Sequence, residues 1–99
     1  KDFMKENEFQ SKLITELKSK FVGCEIIKND SSYIQGICDL IILYKNKWAM
    51  LEVKKSKESK KQPNQEYYVN KFGKMSYAAF IYPENKEKIL NELERSLLS

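Results

Sequence analysis

The chain has no histidine and only two cysteines, Cys24 and Cys38. Without histidine, His-dependent nucleophilic catalysis is disfavoured, and two cysteines without the close spacing of a structural zinc site disfavour zinc as well. Both cysteines lie inside apolar segments, where thiols behave as small hydrophobes, so no disulfide scaffold is expected. No apolar run approaches the roughly 20 residues that cross a bilayer, and no membrane partner is expected. The first residues, KDFMKENEF, are charged and lack the apolar stretch of a signal peptide. A reducing, intracellular setting follows as the expectation, with a cytoplasmic location. Repeats, linkers and low-complexity segments are also missing, apart from one run of lysines.

What the chain does have is enough for one core. Its 99 residues accommodate a single domain spanning 1–99, with a hydrophobic content of 41% and aromatics at 12%. The net charge of +4 hints at a polyanionic partner, and its distribution says more. Lys54, Lys55, Lys57, Lys60 and Lys61 stand against one acid, Glu58. Such a run suits a phosphate backbone. Lys55, Lys57, Lys60 and Lys61, with Gln62 and Asn64 after them, are the candidate nucleic-acid contacts.

Phe9, Leu13, Leu17 and Phe21 recur every four residues with Ile14 beside them, which predicts an amphipathic helix over 6–21, ended by Gly23. Cys24 to Lys28 reads as a first strand, and NDSSYIQG as a polar connection rich in turn formers. Cys38 to Tyr44 and Trp48 to Lys54 then form an antiparallel hairpin around Lys45 to Lys47. Both runs are apolar on both faces, the pattern of central strands covered on each side by helices. A basic loop over 55–62 leads to Pro63 at a helix start, with the helix over 64–72 closed by Gly73. Tyr77 to Tyr82 is a further strand cut off by Pro83, and Ile89, Leu90, Leu93 and Leu97 mark a last helix over 84–98. The fold class is α/β, ordered helix, three strands, helix, strand, helix.

Three charges intrude on the apolar hairpin: Asp39, Glu52 and Lys54. Burying a carboxylate without a partner or a metal costs several kcal/mol, so charges there point to function. Glu52 and Lys54 share a strand face because successive residues alternate. Asp39 joins them only if the partner indices of the hairpin sum to an odd number, which requires an even loop such as Lys45-Asn46 or Asn46-Lys47, or a compensating bulge. That register is expected. Two converging carboxylates make a hard-oxygen site for Mg²⁺, with Mn²⁺ as substitute, and a neighbouring lysine can orient or help deprotonate an attacking water. Hydrolysis of nucleic-acid phosphodiester bonds follows.

Gly36-Ile37-Cys38-Asp39, followed after a turn by Glu52-Val53-Lys54, resembles the signature of the PD-(D/E)XK nuclease superfamily. With the glutamine-bearing helix QPNQEYY, it looks closest to the small VRR-NUC type nucleases of phages and to Holliday-junction resolvases, which suggests a phage or prophage source. The resemblance covers nearly the whole chain and implies a restriction-endonuclease-like core, helix-strand-strand-strand-helix-strand, with a mixed sheet and a C-terminal helix. It implies that Asp39 and Glu52 hold the ion, that the Val53 carbonyl adds a ligand, and that Lys54 serves the water. A glutamine on the helix after the triplet is implied too; Gln65 fits better than Gln62, which Pro63 places at or before the helix start.

A first-helix glutamate is the last implied group, with Glu6 and Glu8 as candidates. At 100° per residue from Phe9, the apolar stripe centres at roughly 60 to 80°, with Glu6 at roughly 60° and Glu8 at roughly 260°. Glu6 is preferred, as catalytic residue and metal ligand. Cys38 departs from the family pattern, which has proline there; a thiol beside the metal would make the enzyme sensitive to oxidation. Tyr67 and Tyr68 are candidates for stacking on exposed bases, one of them being expected in the core. The activity implied is a Mg²⁺-dependent endonuclease acting on branched, flapped or four-way-junction DNA, working as a homodimer. A non-catalytic DNA-binding module and a sequence-specific restriction-type endonuclease are the alternatives.

Overall fold

Leu13, Leu17 and Phe21 are fully buried, so the four-residue apolar recurrence is the inner face of the first helix, α1 (Asp2–Lys20), and of the turn after it. The computed structural model describes residues 2–99, with their side chains from residue 5 onward. The other elements are strands β1 (Glu25–Lys28), β2 (Leu40–Tyr44) and β3 (Lys47–Val53), helix α2 (Pro63–Met75), strand β4 (Tyr77–Ile81), a single 3-10 turn (Pro83–Asn85) and helix α3 (Lys86–Leu98). The molecule is an α/β domain with a four-stranded mixed sheet in the order β1-β2-β3-β4. β1 pairs antiparallel with β2 and β2 with β3, and β4 lies parallel to β3. A parallel neighbour requires a crossover, and α2 is that crossover.

The β2–β3 register pairs Leu40 with Leu51 and Tyr44 with Lys47, leaving Lys45-Asn46 as a two-residue loop. Partner indices sum to an odd number, as an even loop demands. Lys45 adopts φ 56°, the left-handed conformation that such short turns need. Leu40, Ile42, Ala49, Leu51, Val53 and Ile81 then share one face, which α1 and α3 cover with Leu13, Leu17, Ile89, Leu90, Leu93 and Leu97. Ion pairs Lys20–Glu94 at 3.1 Å and Lys86–Glu16 at 2.9 Å join the two helices at their rims. The Cα radius of gyration of 12.6 Å matches the value of about 13 Å for one compact domain of this length.

Two expectations are corrected. Gly73 does not close α2, which runs on to Met75 with Ser76 as its C-cap. A Cβ on Gly73 would meet the Ala78 carbonyl at 3.7 Å, an ordinary van der Waals contact, so the glycine sits within the helix with neither a terminus nor a close approach to account for it. Nor is β2 covered on both sides. On the second face α2 lies over β3 and β4, where Phe72 meets Trp48 edge-on, and Leu43 and Ile27 on β2 and β1 remain exposed. A β3-α2-β4 crossover can shield only the strands it connects. Among the described residues no helix is long and apolar enough to cross a membrane.

Candidate active site

The charged residues gather at one end of the sheet, where β2 begins, β3 ends and α2 starts. Continuing the β2–β3 register by one step sets Asp39 opposite Glu52, on the same face of the sheet. The Asp39 carbonyl accepts from the Asn29 amide at 2.9 Å, and the Asn29 side chain donates to the Cys38 carbonyl at 2.9 Å. These bonds extend the β1–β2 ladder and hold the backbone at Asp39. Its Oδ2 accepts from the Val53 backbone amide at 2.8 Å, which fixes the carboxylate against the end of β3.

Glu52 and Lys54 are the buried charged residues of the described chain, at 3% and 9% exposure. Gln65 joins them. Its Nε2 donates to Glu52 Oε2 at 3.0 Å, and its Oε1 accepts from Lys54 Nζ at 2.8 Å and from the Gln62 backbone amide at 3.0 Å. Gln65 is the third residue of α2 and Gln62 its N-cap, so one amide both caps the helix and orders the two charges. Gln62 itself stays at the rim, as the position of Pro63 requires.

Electrostatics mark the centre as incomplete. Among the described residues Glu52 Oε1 is buried with no hydrogen-bond partner, which is costly for a carboxylate. Burial raises the Glu52 carboxyl, the Asp39 charge raises it further, and despite the pull of Lys54 it is pushed up to about 8. Burial likewise raises Asp39, against the lowering effect of the Val53 amide and Lys54. Glu6 is half-buried and Glu8 exposed. Burial raises the Glu6 carboxyl and Asp39 adds to that, while Lys54 and Lys55 oppose it, so Glu6 belongs to the same electrostatic neighbourhood. Among the described residues no group of three or more His, Cys, Asp or Glu side chains is assembled to hold an ion. Glu6 therefore stands beside the Asp39–Glu52 pair and not within a three-carboxylate cage.

Cys38 corrects an expectation. Its side chain is fully buried in the core, and burial, with Glu52 and Asp39 nearby, pushes the thiol up to about 12. A protonated, enclosed thiol is a poor nucleophile and a poor target for oxidants.

The lysine run divides. Lys54 turns inward to Gln65, and Lys55 is half-buried within range of Glu6. Lys57 and Lys60 are exposed, and the Lys57 backbone amide donates to Glu84 Oε1 at 3.2 Å, tying the loop to the turn before α3. Lys61 lies over the Phe80 and Tyr82 rings at 5.2 and 5.6 Å. Tyr67 is exposed at 57%, whereas Tyr68 is half-buried and stacks on Phe72 at 5.6 Å.

Ser31, Gln35 and Gly36 form part of a polar cleft of about 380 Å³ with Gln62, Asn64 and Gln65. The sequence marks this loop only by its turn formers. Asp30 and Ser32, two positions apart, carry the one specific signal: Asp30 Oδ1 accepts from the Ser32 amide at 2.9 Å and its hydroxyl at 2.6 Å. Gly36, at φ +88°, approaches α2 so closely that a Cβ would sit 2.5 Å from the Asn64 Cβ. Fold and site together define an α/β domain with a paired-carboxylate centre at the end of its sheet. No family model, curated protein or solved structure matches the chain.

Proposed function

We propose that this chain is a metal-dependent nuclease that hydrolyses DNA phosphodiester bonds, with Asp39, Glu52 and Lys54 at its centre. The observation that carries this reading is the buried, unpartnered Glu52 Oε1 opposite Asp39. Two carboxylates on one face of the sheet, one of them buried, form an oxygen-only donor set that suits Mg²⁺ or Mn²⁺. Asp39, Glu52 and the Val53 carbonyl would hold the ion, with water and phosphate oxygens completing its shell. When bound, the ion supplies Lewis-acid stabilisation of the charge that builds on the phosphate.

Lys54 orients the attacking water and eases its deprotonation, held in place by Gln65. Gln65 also restrains Glu52, so the two halves of the centre keep one geometry. Glu6 adds a further carboxylate to the same electrostatic neighbourhood. The helix-strand-strand-strand-helix-strand order of a restriction-endonuclease-like core agrees with the element order here, and this supports the PD-(D/E)XK reading. Action on branched or flapped DNA by a homodimer rests on the resemblance.

The test is a panel of linear, flap, splayed and four-way-junction DNAs with and without Mg²⁺, using the parent chain, Glu52→Ala and Lys54→Ala. Cleavage in Mg²⁺ that both substitutions abolish is expected. Cleavage that survives both would sink the site, and binding without cleavage in any divalent metal would favour a non-catalytic module.

A further inference from the structure

We infer that the cleft between the 31–36 loop and the start of α2 seats one unpaired base beside the scissile phosphate, an inference that rests on the nuclease reading. Its volume of about 380 Å³ is at the lower end of the roughly 300–1,000 Å³ of small-ligand pockets. Its walls are a hydroxyl from Ser31, side-chain amides from Gln35, Gln62, Asn64 and Gln65, and the bare backbone of Gly36. Among the described residues no lysine lines it, which sets it apart from a phosphate site. The phosphates fall to Lys57 and Lys60 on the neighbouring loop.

Side-chain amides present a donor and an acceptor in one plane, the pairing that matches the edge of a nucleobase. Gln65 is committed to Glu52, Lys54 and the Gln62 amide. Among the described residues, by contrast, no hydrogen bond occupies the side chains of Ser31, Gln35 or Asn64, and these three are the readers. Gln65 is also what places the seat: it faces the cleft while it bonds to the paired-carboxylate centre, so a base held there lies next to the phosphate being cut.

The seat is ready before binding. Asp30 holds Ser32, and the Tyr33 and Ile37 amides donate to Asp30 and Ile34 carbonyls at 3.1 and 3.2 Å. Gly36 packs the loop directly on Asn64, so little ordering cost remains on binding. Tyr33, between Ser31 and Gln35, is 84% exposed and offers a ring for the adjoining base. A paired base has its edge engaged and cannot enter a recess, so the seat selects flaps, splayed arms and other sites of interrupted pairing.

The experiment measures single-turnover cleavage in Mg²⁺ of a flap substrate carrying one abasic residue, moved one position at a time across the cut site. Parent chain, Gln35→Ala and Ser31→Ala are compared. One abasic position should slow the parent about tenfold, the loss of one or two hydrogen bonds. Gln35→Ala should slow cleavage of the intact flap by a similar factor and become indifferent to the abasic residue at that position. Fluorescence of 2-aminopurine at the same position, in Ca²⁺ with uncut DNA, should change on binding to the parent and not to Gln35→Ala. Efficient cleavage that is uniform across the abasic series overturns the seat and leaves the nuclease reading standing. No cleavage of any substrate brings down both.

Discussion

Gln65 donates to one oxygen of Glu52 at 3.0 Å, while the other oxygen of that carboxylate is buried and unpartnered. The carboxyl is raised from its ordinary 4.5 to about 8, by burial first and then by Asp39. The fold therefore favours the protonated form. Its contribution to stability is whole below pH 4.5 and is lost as the pH climbs through about 8. In chelator, the melting temperature should fall over that interval. Mg²⁺ should raise it more at pH 8 than at pH 5, and binding should release protons. Glu52→Gln should flatten the pH slope and stabilise the ion-free chain by about 1–3 kcal/mol at pH 8. Melting curves with an undiminished slope in Glu52→Gln would assign the pH dependence elsewhere.

Gln65→Ala removes the partner of Glu52, of Lys54 and of the Gln62 amide at once. The lost N-terminal interaction costs about 1 kcal/mol of stability. Cleavage should fall further than stability does, about 10- to 100-fold in single-turnover rate, because Lys54 no longer has a fixed position. Lys54→Ala should fall about 100- to 10,000-fold. A Gln65→Ala variant cutting at the parental rate would show that the amide only caps its helix.

Much of this arrangement is legible in the chain because it follows from parity. An even loop puts Asp39 on the face of Glu52 and Lys54, and the position of that loop at Lys45-Asn46 sets Asp39 opposite Glu52. Helix phase likewise separates half-buried Glu6 from exposed Glu8. Gly73 misleads because a glycine inside a helix looks the same in sequence as one that ends it. The cleft beside Gln65 is illegible for another reason: turn-forming residues indicate that the chain bends, and only tertiary contact between Gly36 and Asn64 sets what the bend packs against.

Gly36 and Gly23 provide a matched pair, both at positive φ, +88° and +92°. A Cβ at Gly23 meets nothing within 4 Å, whereas one at Gly36 meets the Asn64 Cβ at 2.5 Å and its backbone carbon at 2.9 Å. Gly23→Ala should cost about 1 kcal/mol of backbone strain. Gly36→Ala should cost about 2–4 kcal/mol, adding the clash to the same strain, and should weaken cleavage by displacing the loop from α2. Denaturant titrations giving equal losses for the two would mean that the loop moves off α2 freely.

Cys38 is fully buried with its thiol pushed up to about 12, while Cys24 is half-buried and its thiol is raised by burial and by Glu25. A thiol reagent at pH 8 should modify Cys24 first and Cys38 only with global unfolding, since the thiolate is the reacting species. Mild peroxide should leave cleavage intact. Mass spectrometry of the labelled native chain, with Cys38 modified ahead of Cys24, would restore redox sensitivity at the site.

Lys57, Lys60 and Lys61 differ in setting although they share one loop. Lys57 and Lys60 are exposed, and counterion release assigns each phosphate contact a slope of about −0.9 in log affinity against log salt. Lys57→Ala combined with Lys60→Ala should reduce the magnitude of the slope by about 2 and leave the melting temperature unchanged. Lys61 packs over Phe80 and Tyr82, so its replacement by alanine removes ring contact as well as charge. Stability should drop by about 0.5–1 kcal/mol, and the salt slope by at most about 1. Binding titrations over a range of salt, paired with melts, separate the two settings. An unchanged slope in the double variant would remove this loop from the DNA path and leave the paired carboxylates without an electrostatic guide for the backbone.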